Sequence, residues 1–168
     1  MFNINDAIVH PKYGAGIVKE KRTIERDGED KDYCCIELVD NRGMLMIPQA
    51  NMSGSEMRHA MTDPEVIRDV MSHEPEALDD DYKQRQSGIE VKINSHDPTL
   101  VAQALRDLRW RELTDKLTMT DLRLKDAAFD MLWRELSLTI ESAKPRLNDI
   151  LDHAMQLHLD NAGLEATV

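Results

Sequence analysis

Polar and apolar residues alternate with a period of two through roughly the first 50 positions and with a period near 3.6 from residue 82 onward. Ala7–His10 reads as a strand and Gly16–Ile24 as a second. Between them Pro11 fixes φ, while Gly14 and Gly16 permit a positive φ and a close backbone approach, so the chain corners sharply. Arg26-Asp-Gly-Glu29 carries Asp-Gly, a tight-hairpin signal. In Tyr33–Val39 the residues Cys34, Ile36 and Leu38 share one face, and Tyr33, Cys35 and Glu37 share the other. Asp40-Asn-Arg-Gly43 turns the chain again, and Met44–Ile47 is a last strand stopped by Pro48. The pattern predicts a small bent sheet or half-open barrel, whose free edges can recruit a strand from another chain.

Residues 51–62 read as an irregular exit. Asp63-Pro64-Glu65 is a helix start, with Val66, Val70 and Met71 as a short apolar stripe. His73–Asp81 breaks the pattern and reads as a solvated acidic linker. Tyr82–Asn94 is then a helix, and Asp97-Pro98 opens another that carries Val101, Ala104, Leu105 and Leu108 on one face. Thr118-Met-Thr-Asp121 resembles a capping box with Asp in the Glu place, and the helix it opens buries Leu124, Ala128, Met131, Leu132, Leu136 and Leu138. Pro145 restarts the chain, and Leu147, Ile150, Leu151, Ala154 and Leu157 form a final stripe before Gly163. Trp110 and Trp133 lie in or beside helical stripes, as packing residues. The expected fold is α+β in two domains: a β-rich domain over 1–62, a short helix and linker over 63–81, a bundle of four to five helices over 82–160, and a tail over 161–168.

Aromatics make up only 4% of the chain, so the core is mainly aliphatic. No apolar run reaches the length of a membrane span, and the N-terminus has neither a basic region nor an apolar one, so the expected compartment is the cytoplasm. The net charge of −11 argues at first against nucleic acid. Its distribution changes that: residues 1–62 carry −2, 63–81 carry −7, 82–146 carry +2 and 147–168 carry −4. Acid sits in the connector and the tail, and the helical stretch between them is slightly basic. Weak DNA contact therefore fits if the chain is tethered to another machine.

The six histidines are scattered, and His153 and His158 are five apart, off the i, i+4 spacing of a metal pair. Cys34 and Cys35 are neighbours on a strand, pointing to opposite faces, and do not make a zinc site. No serine occupies a strand–turn–helix elbow. The chain is expected to be no enzyme and to need no metal or cofactor. At Asp81-Tyr82-Lys83-Gln84-Arg85 an aromatic with two basic neighbours opens the helical half. On the residues alone this is either a helix N-terminus whose tyrosine packs on its own bundle or a nucleic-acid contact.

The stretch Asp6-Ala-Ile-Val-His-Pro-Lys-Tyr-Gly-Ala-Gly-Ile-Val18 resembles the opening of the CarD/CdnL-type bacterial transcription regulators. The same module occurs in the RNA-polymerase-interacting domain of the transcription-repair coupling factor. The likeness continues through Tyr33-Cys-Cys-Ile-Glu-Leu38 and Leu45-Met-Ile-Pro48. It returns at Asp97, Val101–Leu108, Leu117-Thr118 and Glu135–Leu138, and so spans nearly the whole chain. The resemblance implies a Tudor-like β-domain that pairs with the RNA polymerase β subunit, with contacts at Arg22, Ile24 and around Met46, where the family can carry an arginine. It further implies an aromatic wedge in the minor groove at the upstream edge of the transcription bubble. Tyr82 stands where the family usually has tryptophan, and Gln84 where an arginine is expected. Lys83, Arg85, Lys92 and Arg123 are the expected phosphate contacts. The implied function is a regulator that binds polymerase and, through DNA contacts without base-specific readout, stabilises the open promoter complex. It would act as a monomer in the cytoplasm, brought to the nucleoid by polymerase. The alternative is a polymerase-binding adaptor whose acidic helical domain binds a protein instead of DNA.

Overall fold

The computed structural model describes residues 2–165. The chain forms two compact units: one takes the residues up to Thr62 together with Arg134–Glu141, the other Asp63–Trp133 and the chain from Ser142 on.

The first unit is a five-stranded antiparallel sheet in the order β4-β3-β2-β1-β5, built from β1 (Ala7–His10), β2 (Gly14–Arg26), β3 (Glu29–Leu38), β4 (Met44–Pro48) and β5 (Arg58–His59). Asp27 and Gly28 both take positive φ, 57° and 78°, the backbone of a tight two-residue hairpin turn. The two glycines of the first corner serve different ends. Gly14 sits at φ 85°, whereas Gly16 provides space: a Cβ there would stand 2.7 Å from Ile36 Cγ2 and 2.8 Å from the Glu37 carbonyl oxygen. Ile8, Val18, Ile36, Leu38 and Ile47 form the core on one face of the sheet.

Two details of this unit were not legible in the periodicity. Residues 51–62 are not wholly irregular: a 3-10 turn over Gln49–Gly54 precedes β5, which pairs with β1. A strand of two residues has no alternation to detect. A β-bulge between Val18 and Glu20 also shifts the β2–β3 register. Val18 pairs with Ile36 on the core face, whereas Glu20, Arg22 and Ile24 pair with Cys35, Tyr33 and Lys31 on the opposite one. One inserted residue thus turns the far half of β2 over. Near β1 that opposite face is covered: Val9, Ala15 and Ala60 pack together, with Ala7, Val39 and Leu138 against them. Glu135, almost fully buried, fastens this cover, accepting from Arg58 Nη1 and Nη2 at 2.6 and 2.9 Å and from the Met61 amide at 2.6 Å.

The second unit contains α1 (Glu65–Ser72), α2 (Tyr82–Asn94), α3 (Pro98–Thr114), α4 (Met119–Leu136, whose last residues belong to the β unit) and α5 (Ala143–Ala162). Asp81 and Asp97 cap α2 and α3, each accepting from two backbone amides. The capping box at α4 forms in both directions: Asp121 Oδ2 accepts from the Thr118 amide at 2.8 Å, and Thr118 Oγ1 accepts from the Asp121 amide at 3.2 Å. Gly163 ends α5 at φ 65°. Two stripes differ from the expected ones at one residue each. In α1 the buried residues are Ile67, Val70 and Met71, and Val66 is exposed. In α5 they include Leu147, Ile150, Leu151, Ala154, Met155, His158 and Leu159, and Leu157 is exposed. In each case the displaced residue sits one position from a buried one, on the neighbouring flank of the helix.

The acidic stretch His73–Asp81 belongs to the helical unit and is not a free linker. Arg111 Nη1 donates to the Leu78 carbonyl at 3.2 Å, Arg85 Nη1 to the Asp79 and Asp80 carbonyls at 2.7 and 3.1 Å, and the Glu76 amide to Asp107 Oδ1 at 3.0 Å. Guanidinium groups bind its backbone carbonyls, and its exposed carboxylates are used as well, Asp80 by Arg111 at 3.2 Å, Glu76 by Lys92 at 3.5 Å and Asp81 as the cap of α2, although composition alone reads a solvated run.

Candidate functional site

The face of the β unit that its core does not use carries the first constellation. Cross-strand partners share a face, so the register places Ile24 beside Lys31, Arg22 beside Tyr33 and Pro48, and Glu20 beside Cys35 and Met46. Arg22, Ile24 and Met46, three residues from two strands, thus stand on one surface with Tyr33 between them. Met46 is 41% exposed and Met44, two residues along β4, is exposed as well. Arg22 is held along the face by Glu20 at 2.6 Å, a pair in solvent that orients the guanidinium more than it stabilises the fold. Cys35 is buried beneath this surface; burial and then the Glu20 carboxylate push its thiol pKa up, so it stays protonated and unreactive. Backbone donors and acceptors are also free here. β1 pairs β2 only as far as Ile17, and Val18 bonds to Asn5 and Asp6, so from Lys19 onward β2 has no strand on its outer side among the described residues. β4 ends the sheet and leaves a second open edge.

The second constellation lies where α2 and α4 begin. Tyr82 is the first residue of α2 and is 51% exposed, so it does not pack into its own bundle. Lys83 is exposed, with its ammonium 5.9 Å from the centre of the Tyr82 ring. Arg123 on α4 is exposed too. Arg85 differs from the expectation of a phosphate contact. It is 4% exposed, and its guanidinium is committed to Asp121, with Nη2 at 2.9 Å from Oδ2 and Nε at 3.3 Å from Oδ1. Three of its nitrogens are used inside the unit, so it has no free fork to offer a phosphate. Gln86 Nε2 adds bonds to Thr118 Oγ1 at 3.0 Å and to Asp121 Oδ1 at 3.3 Å. Lys92 is half-buried and turned inward, 3.5 Å from Glu76 and 3.6 Å from the fully buried Asp107. Of the five residues expected to meet DNA, Tyr82, Lys83 and Arg123 face solvent, while Arg85 and Lys92 serve the fold.

Burial opposes ionisation of Asp121, but bonds from Arg85, Thr118 and Gln86 outweigh it and pull its carboxyl down to about 2. Arg85 is correspondingly raised, chiefly by its hydrogen bond to Asp121. The pair locks the first turn of α2 onto the capping box of α4. Nothing local marks Asp121 as the partner of a residue 36 positions earlier; only the capping-box motif singles it out. Trp133 donates to Asp130 at 2.8 Å and lies under Lys144, a surface packing role.

No group of histidine, cysteine and carboxylate side chains among the described residues has the arrangement of a metal site. None of the described helices is long and apolar enough to cross a membrane. Residues 2–61 match the CarD-like/TRCF RID domain, the RNA-polymerase-interacting module, and residues 66–152 match the CarD C-terminal domain.

The chain belongs to the CarD-like family.

A relative from Bacillus subtilis (strain 168), named "Putative transcription factor YdeB", is 28% identical over 141 residues, covering 82% of this chain and 92% of the relative. The two family matches follow one another along the chain, one on the sheet and one on the helices, in the CarD-like order. This CarD-like chain is a transcription-related protein that interacts with RNA polymerase.

Proposed function

We propose that the β unit binds the RNA polymerase β subunit through the face that carries Arg22, Ile24 and Met46, and that the start of α2 then brings Tyr82 to promoter DNA at the upstream edge of the bubble. The reading rests above all on one observation: three residues from two strands converge on a solvent-facing surface flanked by two unpaired strand edges. Such a surface suits docking by side-chain contact, with strand addition beside it. Tyr82 presents a flat, half-exposed ring that can rest on a splayed base step and slow re-annealing, without base readout. Of the four cations expected beside it, Lys83 and Arg123 face solvent, so the DNA contact is weak by itself and gains strength from the high local concentration that polymerase binding provides. The role needs no catalytic group and no cofactor, and a monomer suffices.

Two measurements test it. Ile24→Glu places a charge at the centre of the docking face and should abolish capture by the isolated polymerase β lobe; undiminished capture would move the contact elsewhere. Tyr82→Ala should shorten the lifetime of the open promoter complex without affecting capture. The adaptor reading is favoured by the inward commitment of Arg85 and Lys92, which removes two of the four cations expected to meet phosphate. An unchanged lifetime in Tyr82→Ala would decide for it.

A further inference from the structure

A groove of about 780 Å³ lies between α1 and α5 in the helical unit, and none of the residues named for the two surfaces above lines it. One wall is a continuous stripe of α5: Arg146, Ile150, His153, Ala154, Leu157 and Asn161. These positions follow i, i+4, i+7, i+8, i+11 and i+15, so the trough runs along four turns, roughly 22 Å at the α-helical rise. Its floor is preformed. His158 Nε2 lies 2.8 Å from the Met71 carbonyl oxygen, joining α5 to the end of α1, and Ile150 and Ala154 are nearly fully buried. Leu157 is 47% exposed within it, an aliphatic side chain that the unit's own core does not use.

The charges in the groove indicate what fits. Arg68 lines the α1 wall and Arg146 the α5 wall, against the single carboxylate of Asp149. Arg68 is shared only with Glu65, at 3.1 Å in solvent, and the Arg146 side chain has no ion pair among the described residues. In a chain of net charge −11 this trough is locally cationic. A helical ridge with spaced aliphatic side chains matches the α5 stripe, and carboxylates beside that ridge match the two guanidinium groups. A second copy docked groove to groove about a two-fold axis would bring its own Arg68 and Arg146 into the same trough.

We infer that the α1–α5 groove docks an acidic amphipathic helix of the transcription machinery, with aliphatic side chains at i, i+3 or i+4, and i+7 seated along Ile150, Ala154 and Leu157. The inference rests on the polymerase-binding reading above, because the helix is supplied by that complex.

The test places p-benzoylphenylalanine at position 157 of the full chain and assembles it with purified polymerase holoenzyme and promoter DNA. Photolysis should join position 157 to a helical segment of a polymerase subunit with that aliphatic spacing and flanking carboxylates. In the Arg68→Glu, Arg146→Glu double variant the cross-link yield should fall by about tenfold or more while co-purification with polymerase persists. Both arginines are at the surface, and Arg68→Gln, Arg146→Gln gives the milder control, with an intermediate yield and an unchanged melting curve. A cross-link to DNA, to a second copy or to a non-helical segment overturns the inference. So does a yield indifferent to charge reversal, or no cross-link in a chain that co-purifies. Failure of the unsubstituted chain to co-purify would remove the polymerase reading as well.

Discussion

Asp121 does two things that usually fall to separate carboxylates: it closes the capping box of α4 and neutralises the buried Arg85. A buried pair of this kind is weak evidence of net stabilisation, but breaking it is expensive. Asp121→Asn leaves a guanidinium buried without its counter-charge and should destabilise the protein by about 3–5 kcal/mol, read as a fall in the urea midpoint. The pH dependence follows in sign. The folded-state pKa, about 2, lies below the ordinary 3.8, so the contribution is complete above the unfolded value and is lost as pH falls through the folded one. It amounts to about 2 kcal/mol. Urea titrations from about pH 5 down to about pH 2 should show this loss in the native chain and not in Asp121→Asn. Gly16 is constrained by space instead of charge. In Gly16→Ala the new methyl meets the Glu37 carbonyl, which is backbone and cannot swing aside, so a loss of about 1–3 kcal/mol is expected in the same assay.

Among the elements, the long β2–β3 hairpin and the start of α2 carry the proposed contacts. The hairpin presents Arg22 and Ile24 outward only because the bulge after Val18 reverses the facing of the residues that follow. Deleting Lys19 removes the unpaired residue but leaves Val18 opposite Ile36 and Glu20 opposite Cys35, so Ile24 should keep its outward facing and polymerase capture should persist; lost capture would show that the kink of the bulge itself is needed. At α2, the tyrosine ring offers less stacking area than a tryptophan, and its hydroxyl favours water. Tyr82→Trp should therefore lengthen the open-complex lifetime, in contrast to the shortening expected for Tyr82→Ala. The exposure of Tyr82 permits either change without loss of core packing.

Taken as a chain, the protein assigns its segments to units in a way that linear order conceals. The β unit takes residues 134–141, which interrupt the helical unit in sequence, and these supply Glu135 to Arg58 and Leu138 to the patch of Val9, Ala15 and Ala60. A fragment ending at Thr62 would keep every strand but expose that patch and leave Arg58 without its carboxylate. It should bind a hydrophobic dye and unfold at lower urea than a version in which residues 134–141 are appended through a flexible linker.

Local chemistry was enough for the first four strands, the Asp-Gly hairpin, the aspartate caps, the capping box and the CarD-like likeness, because each is written in neighbouring residues whose dihedral and hydrogen-bonding preferences act over a few positions. The α+β order of the two units followed from the switch between two periodicities. Partners distant in sequence did not: Arg85 with Asp121, Arg58 with Glu135, and the guanidinium groups that bind the backbone of the acidic stretch. An arginine in a helix reads as solvated until the fold removes water from it. The bulge and the exposure of Val66 and Leu157 at the margins of their stripes were decided in the same way, since one residue of register or helical rotation costs little locally and is selected by what packs opposite. Which cations remain free to meet a partner is therefore a property of the tertiary structure, set by burial and by long-range pairing.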